Sequence, residues 1–268
     1  KNFHNSSNGK IKFGFAPRFV LSCSEELLIE TKEMMKEFEG SLYHTHSSEN
    51  KKEVETVRNL TGKDNVEYFD SIKILDDKTV LAHCIHLSDE EISLLKNNNS
   101  RVSHCPSSNL KLGSGIANIP KLMKNNISIS LGADGAPCNN SLSIFKEMHL
   151  AALIQKPIHG PTSMDALTVF RLATIEGAKA LHLDNEIGSI EIGKKADFVL
   201  LDLNKNDQPI NADENIYSSI VYSADKSNVK AVFINGEIIY DNNSKNIYDE
   251  NELSESAKIE LKKLIERA

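Results

Sequence analysis

The stretch TVLAHCIHLSDEEISLLK (residues 79–96) contains one complete β/α unit. Thr79–His83 is a short apolar run that ends in a polar residue, which is typical of a buried strand. Ser88 is followed by the acidic residues Asp89–Glu91, which is the pattern of a helix N-cap with negative charge in the first turn. The stretch therefore predicts a strand, a short loop and a helix over Ser88–Lys96.

The same alternation recurs on both sides of this unit. Further strand-like runs occupy Ile11–Ala16, Ser41–His46, Arg101–His104 and Ile127–Asp134. Helix-compatible spacing of apolar residues occupies Ser24–Phe38, Lys51–Leu60, Gly115–Lys124, Ser141–Gln155 and Met164–Ala180. Strands that alternate with helices predict an α/β fold with a parallel sheet, either open or closed into a barrel.

The composition changes after residue 186. Short β-rich runs occupy Gly188–Ile192, Asp197–Leu203, Val229–Ile234 and Glu237–Tyr240. Asn235-Gly236 separates the last two runs and is a strong signal for a hairpin turn. The sequence therefore predicts a β/α portion over residues 1–183, a small β subdomain over 184–250, and a C-terminal segment over 251–268 that contains the charged helix Glu252–Arg267.

Charge and cysteine content exclude several classes of protein. The formal net charge is −7, whereas a nucleic-acid-binding surface usually needs a basic patch. No apolar run approaches the roughly 20 residues that span a bilayer. The four cysteines, Cys23, Cys84, Cys105 and Cys138, form no CxxC pair, which favours reduced thiols. We therefore expect a cytoplasmic protein whose partner is neither a nucleic acid nor a membrane.

Polar residues at the ends of the predicted strands indicate the chemistry. His46, His83, His104 and Asp134 each lie at or just after the carboxyl end of a strand. In a β/α barrel the active site is built at that edge, because the strand ends converge there. Histidine and aspartate together suit a divalent ion such as Zn²⁺. One His on an apolar strand is more often structural, but three His and one Asp at one edge indicate a metal-dependent site.

Two carboxylates near this edge each have two interpretations. Glu49 lies three residues after His46, where it could shuttle protons beside a metal without binding it. It could also begin the following helix and complement its dipole, and the two roles are compatible. Asp134 lies in LGADGAP (residues 131–137), whose small residues allow close backbone approach. That segment is either a tight turn before a helix or the place of an Asp beneath a metal-bound water.

Several segments resemble the amidohydrolase superfamily. They are APRFVLSCSEELL (16–28), HTHSSEN (44–50), LAHCIHL (81–87), SHCPSSNLKLGSGI (103–116), LGADGAPCNNSL (131–142) and EIGSIEIGKKADFVLLDL (186–203). The likeness is strongest to the aminohydrolase branch, which includes methylthioadenosine/S-adenosylhomocysteine, 5′-deoxyadenosine and guanine deaminases and triazine hydrolases. It implies a (β/α)8 metallo-dependent hydrolase barrel, with its C-terminal half to two-thirds present here, and a small β-sandwich subdomain.

The resemblance also implies roles for individual residues. By position, His46 and Asp134 correspond to direct ligands of one divalent metal ion, with zinc expected and iron as the alternative. Glu49 matches the proton-shuttling Glu of an HxxE pattern, and His83 matches a His beside the metal-bound water. Glu49, His83 and Asp134 are therefore the expected catalytic residues.

For the substrate pocket the resemblance gives two signals that disagree. Arg18 lies in the PRF segment that guanine deaminases share, where it contacts the purine. The segments SSNLKLGSGI and DGAPCNNSL instead favour S-adenosylhomocysteine deaminases. His104 and Asn109, which lie in or beside the first of these segments, are the other expected substrate-binding residues.

His44-Thr45-His46 is an HxH pattern that needs separate treatment. The segments matching strands six, seven and eight of the family follow it in order, so it corresponds to strand five. We therefore expect that the strand-one HxH pair and the first three or so β/α units are absent from this sequence. The chain then supplies two of the four direct metal ligands.

The predicted activity is metal-dependent hydrolytic deamination of an amino-substituted heteroaromatic ring. The substrate class is an adenosine-type compound or guanine. One alternative is hydrolysis of a triazine by the same metal-dependent attack on another leaving group. A second alternative is an incomplete, inactive fragment or a subunit that binds the missing half. We expect a small heteroaromatic amine as the partner, and a homodimer.

Overall fold

The computed structural model describes residues 3–205, 215–243 and 249–267. At its centre is a parallel sheet of four strands in the order β1-β2-β3-β4. These strands are β1 (Tyr43–Ser47), β2 (Thr79–His83), β3 (Arg101–His104) and β4 (Ile129–Leu131). Because all four run in the same direction, their carboxyl ends meet along one side of the sheet, which we call the carboxyl edge.

The parallel sheet lies in the main hydrophobic core. All five residues of β2 are buried. Tyr43, Leu81, Val102 and Ile129, one from each strand, are at most 2% exposed and belong to one apolar cluster with residues of the surrounding helices. This is the burial expected of a parallel sheet that helices cover.

Helices connect and cover the strands. They are α1 (Ser6–Gly9), α2 (Glu25–Met35), α3 (Lys51–Thr61), α4 (Asn65–Ser71), α5 (Asp89–Asn97), α6 (Pro106–Lys111), α7 (Ile119–Lys124), α8 (Ile144–Ile154), α9 (Lys156–His159), α10 (Ala166–Leu172), α11 (Ile175–Ala180), α12 (Ile216–Tyr222) and α13 (Glu250–Ile265). Both predicted N-caps are confirmed, since Ser24 accepts a hydrogen bond from the Leu27 N–H and Ser88 accepts one from the Glu91 N–H. In the part of the chain that the structure describes, no helix is both long and apolar enough for a membrane span.

A second, antiparallel sheet is formed by β5 (Phe198–Leu201), β6 (Val229–Ile234) and β7 (Glu237–Asp241). The predicted hairpin is confirmed, because β6 pairs with β7 and both Asn235 and Gly236 have positive φ angles, 51° and 80°. Residues 206–214 and 244–248 of the predicted β subdomain lie outside the described residues.

One prediction for the C-terminal region is wrong. Gly188–Ile192 forms turns and bends rather than a strand. Ile190 and Ile192 are 88% and 108% exposed, so the alternation of this run has no buried face to pair against within the described residues. The predicted β subdomain also contains helix α12, which packs on α8 and α10 beside the parallel sheet.

The predicted strand Ile11–Ala16 is also wrong. Phe15 forms a single parallel β-bridge with Tyr43 of β1, through the hydrogen bonds Phe15 N–H to Leu42 O and His44 N–H to Phe15 O, and Ile11 forms one antiparallel bridge with Ser6. The next N–H that a parallel ladder would need belongs to residue 17, which is a proline and has none. The chain therefore leaves the ladder there, and residue 18 approaches β1 through its carbonyl instead.

Other predicted boundaries shift for local reasons. The strand predicted over Ile127–Asp134 is confined to β4, and the last N–H bonded to β3 is that of Gly132, which donates to His104 O at 2.9 Å. The helix predicted over Met164–Ala180 is interrupted at Thr174, whose φ and ψ of −125° and −100° are not helical. The helix predicted over Gly115–Lys124 begins only at Ile119. Helices α1, α4, α6, α9 and α12 were not predicted.

Candidate active site

Three of the expected catalytic and metal-binding residues come together at the carboxyl edge. His46 is in β1, Glu49 follows β1, and His83 ends β2. The rings of His46 and His83 have centroids 5.2 Å apart. The Oε2 atom of Glu49 lies 3.9 Å from Nε2 of His83. This distance is too long for a direct hydrogen bond but short enough for both groups to contact one small molecule.

The tautomer of His46 follows from its backbone partner. Its Nδ1 lies 2.8 Å from the carbonyl oxygen of Arg18. A carbonyl can only accept, so Nδ1 carries the hydrogen and Nε2 keeps a free lone pair. A ring held in this way by a backbone carbonyl is the usual arrangement of a metal-ligating histidine.

The ring of His83 is also held through a hydrogen bond of its Nδ1 atom. It is 1% exposed, and its Nδ1 donates to Oδ1 of Asn109 at 2.8 Å. Its Nε2 has no hydrogen-bond partner among the described residues. A buried polar nitrogen without a partner is costly, so the geometry leaves this lone pair for a ligand. Asn109, expected to bind substrate, therefore contacts a catalytic residue.

Asp134 follows β4 at the same edge. Its Oδ2 accepts a hydrogen bond from Oγ of Ser108 at 2.6 Å, and its Oδ1 accepts one from the Gly135 N–H at 2.6 Å. Burial raises the pKa of the carboxyl, but these hydrogen bonds and the nearby His83 outweigh it, and the net pKa is lowered. Asp134 is therefore ionised at neutral pH.

Strained backbone marks this edge. Ser48, His83, Cys84 and Asp134 have φ angles of 53°, 72°, 49° and 61°. Residues with side chains adopt positive φ uncommonly, and such conformations persist where the surrounding structure enforces them, as at active sites. His and Asp adopt positive φ more often than most residues, but residue type gives no such signal at Ser48 and Cys84.

The other two expected pocket residues lie differently. The guanidinium of Arg18 packs over the ring of Phe19, 4.9 Å from its centroid, while its carbonyl holds His46. His104 is fully buried, and neither ring nitrogen has a hydrogen-bond partner among the described residues. Burial lowers the pKa of His104 to about 3, with His83 adding to the shift, so the ring is neutral. Their contact with substrate remains a prediction.

Two serines were missed as site residues. Ser108 donates to Asp134, as described above. Ser114 Oγ lies 3.4 Å from Oε1 of Glu49, and its carbonyl lies 2.9 Å from Nε2 of His86. Both serines lie in the segment SSNLKLGSGI that carries the resemblance, so the motif was the available signal.

The residues at the carboxyl edge fit part of a divalent metal site. An imidazole with a free Nε2 and an ionised carboxylate are the ligand types that zinc and iron take. Within the described ranges, no group of three or more His, Cys, Asp or Glu side chains is arranged to hold a metal ion. Structural zinc sites usually have four ligands and catalytic sites three protein ligands. The described residues thus supply suitable donors in too small a number.

Comparison with known proteins agrees with this chemistry. The sequence profile described as Amidohydrolase family matches residues 2–239. A 5-methylthioadenosine/S-adenosylhomocysteine deaminase of Thermoanaerobacter pseudethanolicus is 40% identical over 266 residues, which cover 99% of this chain and 61% of that protein. A 5′-deoxyadenosine deaminase of Methanosphaera stadtmanae is 38% identical over 266 residues, which cover 98% of this chain and 61% of that protein.

A solved structure gives the same result at the level of the fold. The crystal structure of an adenosine deaminase from Xanthomonas campestris with bound zinc superposes with a TM-score of 0.90 at 28% sequence identity. The match covers 98% of this chain and 60% of that one. The chain therefore spans about 61% of the length of the curated relatives it matches.

Proposed function

This chain belongs to the amidohydrolase family, as its segments resembling that family predicted, and we propose that the protein catalyses the hydrolytic deamination of an adenosine-type compound. The observation that carries the proposal is the meeting of His46, Glu49 and His83 at one edge, with Glu49 Oε2 3.9 Å from the free Nε2 of His83. Deamination of a heteroaromatic ring needs an activated water and a group that delivers a proton to the ring, and this edge offers residues for both.

His46 and Asp134 are the residues that would hold the metal. When bound, a divalent ion lowers the pKa of water from 15.7 to about 7 and so provides a nucleophile at neutral pH. Zinc is the metal we propose, with iron as the alternative. The resemblance to the family implies two further direct ligands.

The residues of this chain then have distinct tasks. The free Nε2 of His83 accepts a hydrogen bond from the attacking water and orients it. Asp134, whose pKa is lowered by its hydrogen bonds, accepts a proton from that water. Glu49 delivers a proton to a ring nitrogen of the substrate, which makes the adjacent carbon more electrophilic. The water oxygen adds to that carbon, the proton taken by Asp134 passes to the amino group, and ammonia departs, while the remaining hydroxyl proton restores the acid form of Glu49.

Adenosine-type compounds are favoured over guanine by two observations. The relatives at 38–40% identity are named as deaminases of methylthioadenosine, S-adenosylhomocysteine or 5′-deoxyadenosine. The guanidinium of Arg18, which was the signal for guanine, packs on Phe19. Guanine remains the alternative substrate. We propose that His104 lines the substrate pocket and that Asn109 acts on the pocket indirectly, by orienting His83.

We also propose the architecture of the whole protein. The four parallel strands are part of a (β/α)8 barrel, and the antiparallel sheet is part of a β-sandwich. The domain boundaries proposed are 1–183 for the barrel portion, 184–250 for the sandwich portion and 251–268 for the C-terminal helix. A homodimer and a cytoplasmic location remain predictions.

Ammonia release by the purified, zinc-supplemented protein tests the proposal. We expect turnover of S-adenosylhomocysteine, methylthioadenosine or 5′-deoxyadenosine, with kcat/KM at least about tenfold above that for guanine, since pocket contacts discriminate ring substituents by this order. A chlorotriazine, assayed by release of chloride, serves as the control for the alternative leaving group. Ammonia from guanine alone would refute the adenosine-type substrate. Protein without bound metal or activity would favour an inactive fragment or subunit.

A further inference from the structure

We propose that Glu53 is a positioning residue that holds Glu49 for proton transfer, an inference that rests on the proposed function. Glu53 lies on α3 and is 5% exposed. Its Oε2 accepts hydrogen bonds from the backbone N–H groups of Glu49, at 2.8 Å, and Asn50, at 3.4 Å. Its Oε1 accepts one from the Ser48 N–H at 3.2 Å. The carboxylate thus binds the peptide groups on both sides of the Glu49 Cα.

This arrangement exceeds what capping of a helix requires. Asn50 is the N-cap of α3, and the bond from its N–H to Glu53 closes an ordinary capping box. Glu67 closes the corresponding capping box at α4. Its side chain accepts a hydrogen bond from the backbone N–H of the N-cap, Asp64, at 3.0 Å. For Glu53 the two shorter bonds go to residues before the N-cap. Its main contacts are therefore with the turn that carries Glu49.

Asn65 fixes the Glu53 carboxylate from the neighbouring helix. Asn65 is the first residue of α4 and is fully buried, and its Nδ2 donates a short hydrogen bond to Oε1 of Glu53. With this bond the two carboxylate oxygens accept four hydrogen bonds. A buried carboxylate is stable only when donors match its lone pairs, so these partners define a single position for the group.

The turn that Glu53 binds is strained, and the Glu49 side chain has few contacts of its own. Ser48 has a φ of 53°, a conformation that persists where the surroundings enforce it. The Glu49 carboxylate lies 3.4 Å from Ser114 Oγ and 3.9 Å from His83 Nε2, and both distances are long. The position of Glu49 therefore depends on its backbone, which Glu53 holds.

The test compares Glu53→Gln with Glu91→Gln as a matched control. Glu91 occupies the same third position of its helix, α5, is also fully buried, and accepts two backbone hydrogen bonds, from Val66 and Ser88. In Glu53→Gln an NH2 group faces the N–H donors of the turn. We expect kcat for ammonia release to fall at least about tenfold, with KM changed less than about threefold, because small displacements of a catalytic group act on kcat. Bound metal should be unchanged.

The control and a second variant keep the proposal open to refutation. Glu91→Gln should alter stability and leave kcat within about twofold, because Glu91 binds the backbone N–H groups of Val66 and Ser88 and not the turn that carries Glu49. An equal fall of kcat in both variants, or normal kcat in folded Glu53→Gln, would overturn the proposal. If Glu53→Gln does not fold, Asn65→Ala decides, with a fall of kcat at unchanged KM expected and normal kcat refuting. A wild-type protein inactive on every substrate refutes the proposed function instead.

Discussion

The parallel and antiparallel sheets of this chain differ in how much of each strand is hidden from water. Every residue of β2 is buried, whereas β7 has four exposed residues out of five. Beside the parallel sheet, the buried His83 has a specific partner in Asn109. On the antiparallel sheet, Glu237 forms its ion pair with Lys10 at 66% exposure.

This difference indicates in which region of the chain reactive groups can be held in a fixed position. In a dry environment a charge or a lone pair interacts strongly with its neighbours, and its position is fixed by the groups that satisfy it. In an exposed sheet the same groups are screened by water. Substitutions of equal chemistry should therefore have large effects beside the parallel sheet and small ones on the antiparallel sheet.

The largest contrast is expected for one carboxylate in each region. Glu49→Gln should lower kcat by about 10²–10⁴-fold, the usual contribution of a positioned acid or base, without loss of bound metal. Glu237→Gln, on β7, should leave kcat within about twofold, because an exposed ion pair contributes little. Ammonia release and metal analysis measure both variants. Substantial deamination by Glu49→Gln would contradict its assigned role.

A smaller contrast is expected in stability. Leu81 on β2 is 0% exposed and Ile238 on β7 is 55% exposed. Leu81→Ala should lower the free energy of unfolding by about 2–5 kcal/mol, because it leaves a cavity in the core. Ile238→Ala should lower it by less than about 1 kcal/mol, as exposed substitutions usually do. Urea denaturation compares them, and equal losses would mean that the two sheets are equally buried in the protein.

The smallest contrast concerns pH. Burial raises the pKa of Glu91 from 4.5 to about 7, although hydrogen bonds from Ser88 and Val66 oppose the shift. Because the folded-state pKa is the higher one, the stabilisation is complete below pH 4.5 and is lost as pH rises through 7. The free energy of unfolding should fall by up to about 3 kcal/mol across this range.

Glu91→Gln tests this slope, because glutamine stays neutral at every pH. In urea denaturation, the free energy of unfolding of this variant should fall much less between pH 4.5 and 7 than that of the wild-type protein. Glu237→Gln controls for the removal of one carboxylate that is exposed. A slope unchanged in Glu91→Gln would show that another group titrates.

Local sequence rules predicted the elements whose structure is determined locally. Ser24 and Ser88 cap helices because a serine oxygen accepts from nearby N–H groups, and Asn235-Gly236 turns because both residues tolerate positive φ. The His residues at strand ends were visible as polar interruptions of apolar runs. This sufficed to predict the parallel sheet and the residues that meet at its carboxyl edge.

Features set by distant contacts were not predictable in this way. The positive φ of Ser48 depends on hydrogen bonds with surrounding residues, including the one to Glu53. The presence of a serine in the sequence does not predict this conformation. The strand predicted before β1 is interrupted because the N–H that would pair with β1 falls at Pro17, which has none. Helix α12 is rich in Ile, Tyr and Val, residues typical of strands, and its packing on α8 and α10 decides its conformation.

The missing N–H of Pro17 has a consequence for how the site withstands genetic change. Beyond it, the carbonyl of Arg18 accepts from Thr45 Oγ1 and from both the N–H and the Nδ1 of His46. Every amino acid at position 18 carries that carbonyl, so the tautomer of His46 is insulated from missense mutation of its partner. A histidine oriented by a side chain, as His83 is by Asn109, has no such protection, and its partner can be lost by a single codon change.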